Sequence, residues 1–317
     1  MKIKRNPEWV QCGLGASTRV RNMAKNRGVM VDKAVNRYLV EGGVRRIFDS
    51  DHADDFGFIS LKGGSLMYFH EGVDPMTGRG TKDIDLQVSG FAGTIHDLQA
   101  VLQKVLAQVP AHDDGLRFFV DHLTVDEVHD EDEPVPGGKV TVPVQLGEGV
   151  YMLKIDVGMY APEQKEGLEI RVLESLTPKH LPGVTLYAQR REYALADKVQ
   201  AMVRKGIGNS RLRDYYDAFV MLTLHDIDVD VAAQAFAKVF PLNQSTQYGF
   251  EVPTSAADIP ALSATFAAVN EGNWQTTRAK HSFAVPTPDL ATVCDLIRDR
   301  IQPILDTVHA PGYGAAA

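Results

Sequence analysis

Leu61-Lys62-Gly63-Gly64-Ser65 and, beyond seventeen intervening residues, Asp83-Ile84-Asp85-Leu86-Gln87-Val88 are the two stretches from which the fold is read. The β-type run Phe58–Leu61 stops at two glycines, and Ser65 then stands where a helix over 65–70 would take its cap. Glycine leaves the backbone bare, so its N–H groups can approach phosphate oxygens, and the Ser65 hydroxyl can add one hydrogen bond. Many strand-to-helix turns carry Gly-Gly for conformational reasons alone, and that reading stays open on this stretch by itself. The second stretch alternates polar and apolar. Side chains two apart on a strand share a face, so Asp83 and Asp85 stand together, roughly 6.6 Å apart at their backbones, while Ile84, Leu86 and Val88 face a core.

Two carboxylates on one face repel, and without a cation their pKa values rise. A hard divalent ion, Mg2+ or Mn2+, removes the conflict because it prefers oxygen ligands. Such a pair facing a phosphate-binding turn is what metal-assisted phosphoryl or nucleotidyl transfer needs. A solvent-facing edge strand is the competing explanation. Asp156, in the alternating run Tyr151–Val157, is the candidate for a third carboxylate, against the plainer reading of an exposed aspartate paired with Lys154. The acidic run Val125–Glu133, with His129 inside it, leads into Pro134-Val135-Pro136-Gly137-Gly138 and reads as a solvated hairpin rather than a metal site.

Working outward, residues 1–46 read as helical, a helix is expected over 97–109, and further strands over 117–120, 140–146 and 151–157. The turn-rich stretch Gly72–Gly80 separates the serine helix from the Asp-Ile-Asp strand. Past Thr177–Gly183 strand signals fade. The expected organisation is an α/β lobe with N-terminal helices over 1–180 and a helical lobe over 181–317, ending in a loose tail from Ala310.

In the helical part, Lys198 sits beside the apolar stripe Leu195, Val199, Met202 and Val203. It either snorkels to solvent or points into a cleft between the lobes as a phosphate ligand; as a ligand, its removal should weaken nucleotide use and leave thermal stability unchanged. On the helix over 211–222, Asp214 and Asp217 fall opposite the core stripe. Helix geometry alone favours a surface position for both.

Composition narrows the class. Hydrophobic residues make up 44% and charged residues 23% of the chain, as in globular proteins. No signal-like or membrane-spanning apolar run occurs, so a cytoplasmic protein without a membrane partner is expected. Cys12 and Cys294, the two cysteines, are too distant in sequence to suggest a disulfide framework. Net charge is −8, yet residues 1–46 hold eleven Lys/Arg against three Asp/Glu. That local +8 either contacts a polyanion, through residues such as Arg19, Arg21, Lys25 and Arg27, or is an ordinary solvated face.

Taken in order, Lys62-Gly63-Gly64-Ser65, Asp83-Ile84-Asp85, Ala196-Asp197-Lys198 and Arg213-Asp214-Tyr215-Tyr216-Asp217 resemble the signatures of the AbiEii/AbiGii branch of nucleotidyltransferases. The resemblance spans about residues 28–225. It implies a polymerase-β-like α/β (α+β) lobe with a mixed sheet followed by a mostly helical lobe. It further implies a nucleoside triphosphate at Lys62, Gly63, Gly64 and Ser65, with Lys198 and Asp217 also at the nucleotide, and metal on Asp83 and Asp85; Asp156, which carries no local signature of the family, is added as third metal ligand from the strand alternation. Asp83, Asp85, Lys198 and Asp214 would be the catalytic set. Characterised members are toxins, each encoded with an antitoxin, and some add nucleotides to the 3′ end of tRNA. The segment from Ser65 to Asp83 is longer than the family's usual spacing. Two rivals remain at this point: a small-molecule, antibiotic-type nucleotidyltransferase, and a nucleotide-binding regulator that has lost turnover.

Overall fold

The computed structural model describes residues 3–49, 57–72, 76, 78–79, 81–128, 137–160, 165–242, 251–281, 283–311 and 313 of the 317. Most of the Val73–Gly80 turn, the His129–Glu133 part of the acidic run with the prolines after it, and most of the tail lie outside them.

Two compact units result, one of residues 1–69 and 74–188, the other of 70–73 and 189–317. In the first, helices α1 (Pro7–Asn26) and α2 (Val31–Phe48) precede strand β1 (Phe58–Leu61), a 3-10 turn (Gly63–Leu66), one turn of helix α3 (Met67–His70), strand β2 (Asp83–Ser89) and helix α4 (Ile95–Ala107). Strands β3 (Leu116–Phe118), β4 (Thr124–Val128), β5 (Gly137–Leu146), β6 (Gly149–Tyr160), β7 (Leu168–Leu173) and β8 (Val184–Gln189) complete it. Among the described residues these form one mixed eight-stranded sheet, ordered β3-β5-β6-β2-β1-β8-β7, with β4 on the outer part of β5. β2 runs parallel to β6 and antiparallel to β1.

Local chemistry accounts for the boundaries. Thr94 caps α4, accepting from the Asp97 N–H while the Asp97 carboxylate accepts from the Thr94 N–H at 2.7 Å, a reciprocal box that starts this helix two residues before the expected Asp97. The β5–β6 hairpin turns at Gly147, whose φ of +58° suits the first position of a tight hairpin.

Burial in the sheet follows the alternation. Ile84, Leu86, Val88 and Ile155 are fully buried, each removal from water stabilising by about 1.5–3 kcal/mol. α2 lies on that face: a Cβ on Gly43 would fall 2.7 Å from Ile84 Cδ1 and 2.8 Å from Leu153 Cδ2, so a side chain there would have to displace both methyl groups. α1 packs on α2 and β5.

α2 also carries three of the N-terminal arginines into the core. Arg46 forms a buried pair with Asp114, Nη1 to Oδ2 2.6 Å and Nη2 to Oδ1 3.0 Å, and donates further to the Leu116 and Gln108 carbonyls. Arg45 meets Glu41, which also accepts from Ser175 Oγ and the Leu176 N–H. The Arg37 guanidinium lies 3.5 Å from the centroid of the Tyr68 ring, a cation–π contact.

The second unit contains helices α5 (Arg191–Lys205), α6 (Leu212–Leu224), α7 (Val229–Leu242), α8 (Ala264–His281) and α9 (Leu290–Val308). Its core holds Trp274, Phe236, Phe240 and the Tyr215–Phe266 stack, and the Trp274 indole N–H donates to the Pro288 carbonyl. Glu71 belongs here because it accepts from the Tyr216 hydroxyl at 2.5 Å.

The two units divide at 188/189, against an expected 180/181. Residues 181–188 stay with the first unit, because Val184-Thr185-Leu186-Tyr187-Ala188-Gln189 is a strand that β1 pairs in parallel at Leu61 and Ala188. β7 is likewise a strand beyond those expected from the sequence. The acidic segment is partly strand too: Thr124–Val128 pairs β5, with Asp126 and Glu127 exposed, in keeping with a solvated hairpin.

Candidate active site

β1 and β2 place the two signature stretches side by side. The Lys62 N–H donates to the Asp85 carbonyl at 2.9 Å, so the glycine turn starts level with the middle of the Asp-Ile-Asp strand. Gly63 has φ +60°, and a Cβ there would sit 2.9 Å from Asp85 Cγ. Both the conformation and the space demand glycine.

Ser65 is only 1% exposed, and its bonding is directed at β2. Its Oγ accepts from the Asp85 N–H at 3.1 Å and lies 3.4 Å from both Asp85 Oδ2 and the Asp83 carbonyl. The Ser65 N–H donates to Asp85 Oδ2 at 3.2 Å. The serine expected to hold a phosphate also holds the Asp85 carboxylate in place. The helix expected over 65–70 is one 3-10 turn, Gly63–Leu66, followed by one α turn, Met67–His70, so any phosphate contact falls to individual N–H groups rather than to a long helix dipole.

Asp83 is set from the other side. Thr81 Oγ1 donates to the Asp83 carbonyl at 2.9 Å, and the Asp83 N–H donates back to Oγ1 at 3.2 Å. The Tyr68 hydroxyl in turn donates to the Thr81 carbonyl at 3.2 Å.

Register brings in the third carboxylate. Asp85 pairs with Asp156 and Asp83 with Lys154, so Asp83, Asp85 and Asp156 share the sheet face turned away from α2. Burial first, then the charges of Asp85 and Asp83, push the Asp156 carboxyl up to about 6; Lys139 and Lys154 act in the opposite direction. Asp156 is thus a partly buried member of the carboxylate group rather than an exposed strand residue. Among the described residues, no three acidic, histidine or cysteine side chains stand in ready-made ligand geometry. The donor chemistry nonetheless suits a hard divalent cation: three carboxylates on adjacent strands, one with its ionisation opposed by the other two.

The helical unit holds its own cluster. Lys198 Nζ lies 2.7 Å from Asp217 Oδ2 and 3.2 Å from Asp214 Oδ1, and Arg211 Nε lies 3.2 Å from Asp214 Oδ2. Asp217 is fully buried, and Asp214 and Lys198 are each 8% exposed. The favoured surface position of both aspartates is corrected: the polar face of α6 packs inward, against the lysine of α5. Lys198 consequently has a strong structural reason for its place.

A separate cavity of about 420 Å³ lies at edge strand β3, lined by Trp9, Phe119 and His122 among others, and holds none of these candidates. The chemistry marks the carboxylate face, not that hollow.

A family model described as nucleotidyl transferase AbiEii toxin, type IV TA system, matches residues 44–296. The chain belongs to the AbiEii nucleotidyltransferase toxin family. No curated protein matches it. Among solved structures, JHP933 from Helicobacter pylori is similar at 12% identity and a TM-score of 0.45, over 87% of this chain and 93% of that one. A second H. pylori structure, provisionally described as a nucleotidyltransferase, aligns at 13% identity and a TM-score of 0.44, over 88% and 97%.

One residue near the AbiEii carboxylates escaped the sequence reading. Arg79 is 7% exposed, and both its terminal nitrogens lie 3.4 Å from the point where a Gly64 Cβ would be, as does Asp85 Oδ2. Its only sequence signal was an arginine between Gly78 and Gly80, just ahead of Asp83. The +8 segment divides: Arg21 and Lys25 of α1 and Arg27 just after it are exposed, and Arg19 is half-buried. Arg37, Arg45 and Arg46 are buried, Arg5 pairs with Glu148, and α2 covers the face opposite the carboxylates. No helix among the described residues is long and apolar enough to cross a membrane.

Proposed function

We propose that this AbiEii-family chain transfers a nucleoside monophosphate from a nucleoside triphosphate to the 3′ hydroxyl of an RNA, with a tRNA end as the favoured acceptor, and acts as a cytoplasmic toxin held in check by a cognate antitoxin. The observation that carries the reading is the grouping of Asp83, Asp85 and Asp156 on one sheet face beside the Gly63–Gly64 turn. Magnesium or manganese held by these carboxylates would neutralise charge building on the triphosphate. The Asp85 carboxylate is held in position by Ser65, and the Asp83 backbone by Thr81, so the strand that carries both is set before substrate arrives. Arg79 supplies a guanidinium over Gly64, suited to a phosphate oxygen by its planar fork of donors. The attacking hydroxyl then displaces pyrophosphate in line.

The triphosphate role implied for Lys198 would compete with its ion pairs to Asp214 and Asp217. Its ion pairs give it a structural role in the helical unit, and the reading does not depend on it.

The test is incubation of the chain with each labelled triphosphate and total tRNA, with and without divalent metal. Metal-dependent label at RNA 3′ ends supports the proposal. Label confined to small molecules such as aminoglycosides would replace it with the antibiotic-type reading, and no incorporation would leave a nucleotide-binding regulator.

A further inference from the structure

We infer that the carboxylate face of the sheet continues into a base-stacking platform, made by Phe58 and Tyr187, that receives unpaired nucleotides next to the 3′ end of the RNA acceptor. The inference rests on the RNA reading above and adds where on the chain that RNA lies.

Register defines the surface. Phe58 pairs with Ser89 and Ser60 with Gln87, so Phe58 and Ser60 stand on the same face as Asp83 and Asp85. Leu61 pairs with Ala188, which puts Tyr187, one residue away, on that face as well. The two rings meet at 4.8 Å between centroids and 52° between planes. Tyr187 is nevertheless 41% exposed, and beside it on β7, the edge of the sheet, Ile170 and Val172 are 64% and 48% exposed. Large apolar side chains exposed together on one part of a sheet mark a binding surface.

Charge identifies the occupant. The Lys165 ammonium lies 5.0 Å from the centroid of the Phe58 ring. On the other side of the carboxylates, Lys139 pairs with Asp156 in register and Lys154 with Asp83, and both lysines are exposed. A run of aromatic rings flanked by cations, leading to a catalytic carboxylate group, suits a single strand of nucleic acid. Rings stack on bases without regard to sequence, and the lysines meet the phosphates. A protein partner would use the apolar residues but would have less need of cations on both sides. Spacing fits too. Phe58 lies opposite Ser89, four residues along β2 from Asp85, and at ~3.3 Å per residue and ~4.8 Å per strand this puts the platform about 14 Å from Asp85. A short unpaired 3′ tail spans that distance.

The experiment measures binding of a short fluorescein-labelled single-stranded RNA to the full chain by anisotropy, and KM for tRNA in the transfer assay. Variants are Tyr187→Ala, the ring-preserving control Tyr187→Phe, and Phe58→Leu; melting curves confirm that each is folded. The proposal expects Tyr187→Ala to weaken RNA binding by about 10-fold or more, within the roughly 5- to 150-fold that one lost base stack implies, and to raise KM for tRNA correspondingly. Tyr187→Phe should bind within about twofold of the unaltered chain. Unchanged RNA binding by folded Tyr187→Ala, in a chain that does bind and modify RNA, overturns the platform and leaves the RNA reading standing. A chain that binds no RNA at all overturns both. Loss of self-association in Tyr187→Ala with RNA binding intact assigns the patch to a contact between copies and overturns the platform alone.

Discussion

Replacing Lys198 by alanine separates a structural lysine from one kept only for substrate. Its ammonium is 2.7 Å from Asp217 Oδ2 and 3.2 Å from Asp214 Oδ1, with Asp217 completely buried. Removing one partner of a buried pair leaves charge without compensation and costs about 3–5 kcal/mol. Asp214 retains Arg211 at 3.2 Å, so Asp217 bears most of the loss, and the lower end, about 3 kcal/mol, is expected. At about 3 °C per kcal/mol for a unit of this size, the helical unit of Lys198→Ala should melt about 10 °C early. The chain's two tryptophans make this readable, since Trp274 lies in that unit and Trp9 in the other; fluorescence in a Trp9→Phe background follows the helical unit alone. The double variant Lys198→Met/Asp217→Asn removes both charges and should recover more than half of the loss. A Lys198→Ala chain melting within about 1 kcal/mol of the unaltered one would refute the reasoning and restore the expectation of a lysine free for substrate.

Gly63→Ala puts a side chain at φ +60° and a Cβ 2.9 Å from Asp85 Cγ; transfer should fall by about 10-fold or more as the carboxylate is displaced, and a fully active variant would show that the turn tolerates a side chain. Thiol labelling should modify exposed Cys12 in the native chain but spare Cys294, whose thiol burial pushes up to about 12; rapid labelling of both without denaturant would contradict the packing of α9. For RNA binding, each phosphate contact contributes a slope of about −0.7 in log affinity against log salt for a single strand. Neutralising Lys139 and Lys154 should flatten that slope more than neutralising Arg19 and Arg21, and the opposite order would return the acceptor to the N-terminal helices.

What could be read from the sequence were elements whose pattern is local. The Asp83–Val88 alternation fixes both the strand and its carboxylate face, and register adds Asp156 to it as the run Tyr151–Val157 indicated. Strand β8 was missed because Val184–Gln189 is short, follows Pro182-Gly183 and runs directly into α5, so only its pairing with β1 reveals it. Partners distant in sequence were equally hidden: Arg46 and Asp114 are 68 residues apart, and nothing near either distinguishes a buried pair from two surface charges. The same holds for Lys198, whose neighbours on its own helix describe an amphipathic edge while its ion pairs come from α6. The Ser65 bonds to Asp85 were equally hidden, since a hydrogen bond from a neighbouring strand leaves no mark in spacing.

The most direct test of the account compares Asp83→Asn with the unaltered chain in nucleotide transfer to tRNA at saturating magnesium, with melting curves recorded for both. The substitution changes charge but no core residue, and Asp83 is set through its backbone by Thr81, so the fold should be retained. Loss of one preorganised electrostatic partner of this kind costs about 10²–10³ in rate. The account predicts a loss of at least that size with unchanged melting. Equal transfer by the folded variant would contradict a carboxylate-centred nucleotidyltransferase site.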